Sequence, residues 1–198
     1  MTVVVEPTTS TYVAQEPAAA PQPQPQSEAG HGERMNRLRA GVLGANDGIV
    51  STAAVVVGVA GATDSTSAIA TAGLAAVVGG AISMALGEYV SVSSQRDSER
   101  VRGFADEHQV NPWSAAIASF LAFLLGAALP FAAAVLTPVS LRVAATFTLT
   151  LVSLSLTGAL SAKLGGAAVG RPVIRVVLGG TLALGATFLV GSLFGSQL

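Results

Sequence analysis

The chain has 198 residues, 51% of them hydrophobic, only 11% charged and 5% aromatic, with a net charge of −1 and no cysteine. About a quarter of the residues in an ordinary soluble domain are charged, so this sequence lacks the charge to coat a water-facing surface. The missing Cys excludes disulfide frameworks, thiolate metal sites and Cys nucleophiles, and the near-zero charge gives no bulk reason to bind nucleic acid.

Residues 1–33 differ in composition from all that follows, holding five of the nine prolines and no Lys or Arg. The alternating Pro-Gln from Pro21 to Gln26 favours an extended spacer, and too little apolar surface is present to offset the entropy of ordering it. A secretory signal would need a basic segment followed by an apolar run. Neither is there, so residues 1–33 are expected to form a disordered, uncleaved cytoplasmic tail ahead of one membrane domain over residues 34–198.

That domain divides into apolar stretches at residues 40–62, 67–92, 113–136, 143–162 and 173–195. Each is near the ~20 residues that cross a bilayer as a helix. A β-barrel would need alternating segments of about ten residues, which are absent. The expected fold is therefore all-α, an integral membrane bundle of five transmembrane helices, because in lipid a helix satisfies its own backbone. Arg34, Arg37 and Arg39 precede the first span, Arg96, Arg100 and Arg102 follow the second, and Lys163, Arg171 and Arg175 follow the fourth. Nine of the ten basic residues thus fall on one side, with Arg142 alone on the other. Positive loops stay in the cytoplasm, so the N-terminus is expected there.

The informative residues are the costly ones. Two carboxylates lie within spans, Asp47 and Glu88. A charge at mid-bilayer costs about 3 kcal/mol on translocon scales, which makes each a candidate site; the plain alternative is an interfacial carboxylate wetted by headgroups. At ~1.5 Å per residue, Asp47 lies roughly 8 Å to the cytoplasmic side of the midplane. Met84 lies at a similar depth, and Glu88, at i+4 from Met84 on the same helix face, one turn nearer the cytoplasm. If the first two helices pack antiparallel, Asp47 faces Met84 and Glu88, with the Asn46 carboxamide nearby. Carboxylates alone would admit hard cations, whereas a thioether favours later transition metals such as Fe²⁺. Metal and protons compete for the carboxylates, which is the least machinery a metal/proton antiporter needs. Gly44 with Gly48, and Ala76 with Gly80, are small-xxx-small pairs suited to close helix packing. Pro130 is expected to kink the third span, and the hydroxyls of Thr146, Thr150, Ser153, Thr157 and Ser161 form a stripe that either lines a water path or, the favoured reading, bonds helix backbones or neighbours.

Two motifs, Gly44-Ala45-Asn46-Asp47-Gly48-Ile49-Val50-Ser51 and Gly80-Ala81-Ile82-Ser83-Met84-Ala85-Leu86-Gly87-Glu88-Tyr89-Val90-Ser91, resemble the vacuolar iron transporter (VIT) family. The likeness continues through Ser94-Gln95-Arg96-Asp97, Asn111-Pro112-Trp113 and the segment from Gly126 to Pro130. The resemblance implies a five-span homodimer moving Fe²⁺, and often Mn²⁺, out of the cytoplasm in exchange for protons, along a path at the dimer interface between the first two helices of each protomer. It carries the family's pathway Asp and Met onto Asp47 and Met84, and its Gly-Glu-Tyr glutamate onto Glu88. Many members carry a Glu- and Met-rich cytoplasmic insert after the second span. Here the link is residues 98–110, with Glu99, Asp106, Glu107 and His108 as its potential ligands, so the chain looks like the short branch lacking that insert.

The expected activity is secondary transport, with the metal ion and proton as substrates, the lipid bilayer and a second copy as partners, no resident cofactor and no nucleic acid. An enzymatic role such as ferroxidase has no Glu-x-x-His ligand set behind it. The alternative is a non-transporting membrane scaffold or accessory subunit whose carboxylates are structural. Arg outnumbering Lys nine to one, with abundant Ala and Gly, suggests a GC-rich bacterial genome and hence a plasma membrane, or an endomembrane if the source is eukaryotic.

Overall fold

The computed structural model describes residues 25–102 and 110–196, and the regular structure in them is helical: α1 (Pro25–Ala62), α2 (Thr66–Val101), α3 (Pro112–Leu136), α4 (Val139–Leu164) and α5 (Gly170–Gly195). All five are long and apolar enough to cross a membrane, and the five expected spans lie within them. Their outer faces carry apolar stripes at i,i+4 spacing, such as Leu74, Val78, Ile82, Leu86 and Val90 on α2 and Ile117, Leu121, Leu125 and Leu129 on α3. Water would not tolerate so much contiguous apolar surface, whereas lipid matches it.

The helices outrun the hydrophobic stretches at the basic end. Hydropathy finds the thickness of oil, not the length of a helix, and residues with Arg or Ser that are solvated there still hold helical geometry. α1 reaches back to Pro25, into the segment taken as an unstructured tail; residues 1–24 lie outside the described residues. Glu33, assigned to that tail, instead serves the fold. Its carboxylate accepts the Asn111 backbone N–H at 2.8 Å and the Ser114 hydroxyl, bonding the unsatisfied start of α3 to α1. Asn111 itself caps α3 by accepting the Trp113 N–H at 2.9 Å. Of the short link, residues 98–101 continue α2, where Glu99 accepts from Gln95 at 2.8 Å; Asp106, Glu107 and His108 lie outside the described residues.

α1 is the centre of the bundle and touches all four other helices. Glycines make the approach possible. A Cβ on Gly48 would stand 2.9 Å from the Phe123 carbonyl carbon and closer still to its oxygen, and Gly44 and Gly126 make equally close approaches to Ser119 and Ala45. The Gly44–Gly48 pair therefore builds the α1–α3 seam. Gly80 of the second pair leaves room for the Phe123 ring, which is fully buried with Ala81 and Ala127. Gly58 and Gly61 bring the other end of α1 against α5. Pro130 is buried within α3, which runs on to Leu136.

Arg142, the one basic residue assigned to the opposite side, is buried at the start of α4. It donates to the Asp64 carbonyl at 3.2 Å and the Thr66 hydroxyl at 2.7 Å, pinning α4 to the α1–α2 link. At the other end, Arg39 of α1, Gly165 after α4 and Arg175 of α5 line one groove of about 530 Å³. Along α4, Thr146, Ser153 and Thr157 back-bond to the carbonyls of Arg142, Leu149 and Ser153 at 2.8–3.0 Å, as the hydroxyl stripe suggested, while Thr150 is buried without a partner.

Candidate functional site

Arg39, Leu43, Asp47, Ser51 and Val55 recur every four residues and so share one face of α1. That face, with Gly80, Ser83, Met84, Gly87, Glu88 and Ser91 of α2, lines a cleft of about 570 Å³. A second cleft of about 580 Å³ shares Asp47 and Met84 with it and is closed by Arg175, Val176, Gly179 and Gly180 of α5. Asp47 and Met84 therefore stand where the two clefts meet.

Among the described residues, no side chain forms a hydrogen bond or ion pair with the half-buried Asp47 carboxylate; the Ser51 hydroxyl donates at 2.6 Å to the Asp47 backbone carbonyl instead. Met84 packs against the Phe123 cluster, which fixes its stem. Glu88 is only 5% exposed, and its Oε2 accepts from the Arg39 guanidinium at 2.9 Å. Arg39 lies 23 residues before the end of α1 and Glu88 22 residues after the start of α2, so the pair joins residues at matching distances from the α1–α2 link, as antiparallel packing requires.

Of the four residues singled out from sequence, Asp47, Met84 and Glu88 share one cleft. Asn46 does not line it. One helical step of about 100° from Asp47, it turns toward the α5 side, lining the second cleft with its Oδ1 buried and unpartnered. Among the described residues no three His, Cys, Asp or Glu side chains gather as a metal cage. One chain thus offers two carboxylates, a thioether, hydroxyls and a carboxamide along the two clefts. Sequence reasoning missed Arg39, counted only for orientation, although its i,i+8 spacing to Asp47 signalled a shared face. It also missed Arg175, whose approach depends on how α5 packs and left no local signal.

Five apolar helices around a polar seam, with an unpaired carboxylate in a membrane-spanning segment, define a polytopic membrane protein built around a charged cleft. The VIT family model matches residues 38–103 and 99–192. "Vacuolar iron transporter homolog 1" of Oryza sativa subsp. japonica is 45% identical over 175 residues, covering 82% of this chain and 75% of that protein. "Vacuolar iron transporter homolog 5" of the same plant is 45% identical over 170 residues, covering 81% and 82%. "Vacuolar iron transporter homolog 2" of Arabidopsis thaliana is 41% identical over 172 residues, covering 83% and 88%. The chain belongs to the VIT family. These relatives are plant proteins named for the vacuole, so the expected bacterial plasma membrane finds no support in them. Base composition reports on coding, not on membrane address.

Proposed function

We propose that this chain is a homodimeric secondary transporter that carries Fe²⁺, Mn²⁺ or both out of the cytoplasm in exchange for protons. The observation that carries this reading is the Asp47 carboxylate, set in a membrane-spanning helix with no described partner and facing the same cleft as the Met84 thioether. A charge in that setting is costly, and the cost is offset when a cation passes. Carboxylate oxygen admits Mn²⁺, and the thioether sulfur favours later transition metals such as Fe²⁺ over hard ions, the iron reading being in keeping with the names of the relatives. Asp47 is the central ligand and proton acceptor, Met84 the soft ligand and Glu88 the carboxylate at the cytoplasmic mouth, with Asn46 beside them. A second copy meeting this seam would double the donor set. Nine basic residues at the end where α1 begins put that end in the cytoplasm. Protons compete with metal for the carboxylates, which couples the two fluxes.

The scaffold reading draws on one observation, the Arg39–Glu88 ion pair, which treats Glu88 as structural. It leaves Asp47 unaccounted for. Purified protein in vesicles enclosing a pH indicator separates the two: Mn²⁺ and Fe²⁺ flux above that of empty vesicles, with protons moving the opposite way, is expected. No flux above empty vesicles refutes transport, and metal flux without proton counterflow refutes the antiport.

A further inference from the structure

We propose that Arg39 is a tethered counter-cation that competes with the incoming metal for Glu88, so that the cleft opens toward Asp47 only to an ion able to displace a guanidinium. The inference rests on the transport reading above and adds a specificity element to it. The two partners of the 2.9 Å pair are unequal: Glu88 is 5% exposed, whereas the Arg39 side chain is 56% exposed. The acid is fixed within the helix seam, and the base reaches in from the open side of the cleft. Leaving Glu88 charged and unpaired at that burial would be costly, so a cation has to hold it at every stage. Arg39 therefore leaves Glu88 only when another cation takes its place there.

The cleft's geometry makes the exchange consequential. Arg39, Leu43 and Asp47 rise along one face of α1, placing the ion pair at one end of the cleft and Asp47 two turns further, about 12 Å along the axis. An ion arriving from the Arg39 end meets Glu88 already neutralised. A monovalent ion gains little by replacing one charge with another, whereas a dication brings twice the attraction to the same carboxylate. The side chain thereby filters against monovalent ions and lowers the apparent affinity for dications by the fraction of time it is engaged.

The test uses the full chain with Mn²⁺, in wild type, Arg39→Gln, Glu88→Gln and the double variant. Two readouts are taken: the half-saturating Mn²⁺ for flux into vesicles, and quenching of Trp113 by Mn²⁺ in nanodiscs. Trp113 is the single tryptophan and lies 4.8 Å, centroid to centroid, from Tyr89, the chain neighbour of Glu88. If Arg39 covers Glu88 about nine-tenths of the time, Arg39→Gln lowers both midpoints about tenfold and changes the maximal rate far less. In the Glu88→Gln background the same change leaves both midpoints where they were. Arg39→Lys, which keeps a cation over Glu88, stays within about threefold of wild type. Wild-type flux with no midpoint shift in Arg39→Gln overturns the proposal. So does an equal shift in the Glu88→Gln background, which would mean a through-space effect on Asp47, or a tenfold shift in Arg39→Lys. Absence of wild-type flux instead overturns the transport reading, and this inference with it.

Discussion

The α1–α3 seam makes a demanding prediction at Gly48. An alanine there sets its methyl 2.9 Å from the Phe123 carbonyl carbon and 3.0 Å from its Cα, with the oxygen closer still. Ordinary carbon contacts lie at about 3.5–4.0 Å, and the atoms in the way are backbone of a membrane-spanning helix, so no side chain can swing aside. The helices must part by roughly half an ångström or more, and Gly44 and Gly126, gripping the same seam, resist it. Overpacking of this kind costs about 1–3 kcal/mol, here near the upper end, against which the better helix propensity of Ala returns at most about 1 kcal/mol. Gly41 supplies the control: on the same helix, a Cβ there meets nothing within 4 Å, so Gly41→Ala keeps only the propensity gain. The two variants should therefore differ by about 2–3 kcal/mol, or roughly 5–10 °C in melting temperature for a chain of this length. Melting in detergent, followed by Trp113 emission, measures it. Gly48→Ala melting at or above Gly41→Ala would refute the close approach of these backbones.

Arg142→Met keeps the stem of the side chain and removes its bonds to the Asp64 carbonyl and Thr66 hydroxyl. Bonds from a charged donor are worth about 1.5–3 kcal/mol, so melting should fall by roughly 3–10 °C, with half-saturating Mn²⁺ unchanged because the pin lies at the far end from Glu88; an altered midpoint would tie Arg142 to the path. Glu33→Ala removes the acceptor for Asn111 and Ser114. Loss of a helix cap costs about 1 kcal/mol, and amide exchange at the first turn of α3 should quicken severalfold, whereas unchanged exchange would show that α3 does not depend on α1 for its start.

The number and order of the helices were legible because lipid imposes a simple rule, and residues 40–62 or 113–136 obey it without interruption. Asp47, Met84 and Glu88 were legible for the converse reason: each departs from that rule at a computable depth, and antiparallel pairing of neighbours in the chain is the simplest arrangement of two spans. What pairs across distant sequence was not legible. Gly44 and Gly48 announced a close approach but not its partner, which is α3. Glu33 carried no mark of its bond to Asn111, 78 residues away. Arg39 and Arg175 looked like interchangeable members of a positive-inside count until packing put one on Glu88 and the other on the second cleft. Asn46 shows the limit of adjacency: neighbours on a helix point about 100° apart, and the two residues share only one of the clefts.

Asp47→Asn, which keeps the size of the side chain and removes its charge, bears most directly on transport. Mn²⁺ flux into vesicles is measured for this variant and for wild type at matched protein density, alongside their melting temperatures. Flux at the level of empty vesicles, with melting within a few degrees of wild type, is predicted. Flux equal to wild type would contradict the role given to this carboxylate and leave the cleft without its central ligand.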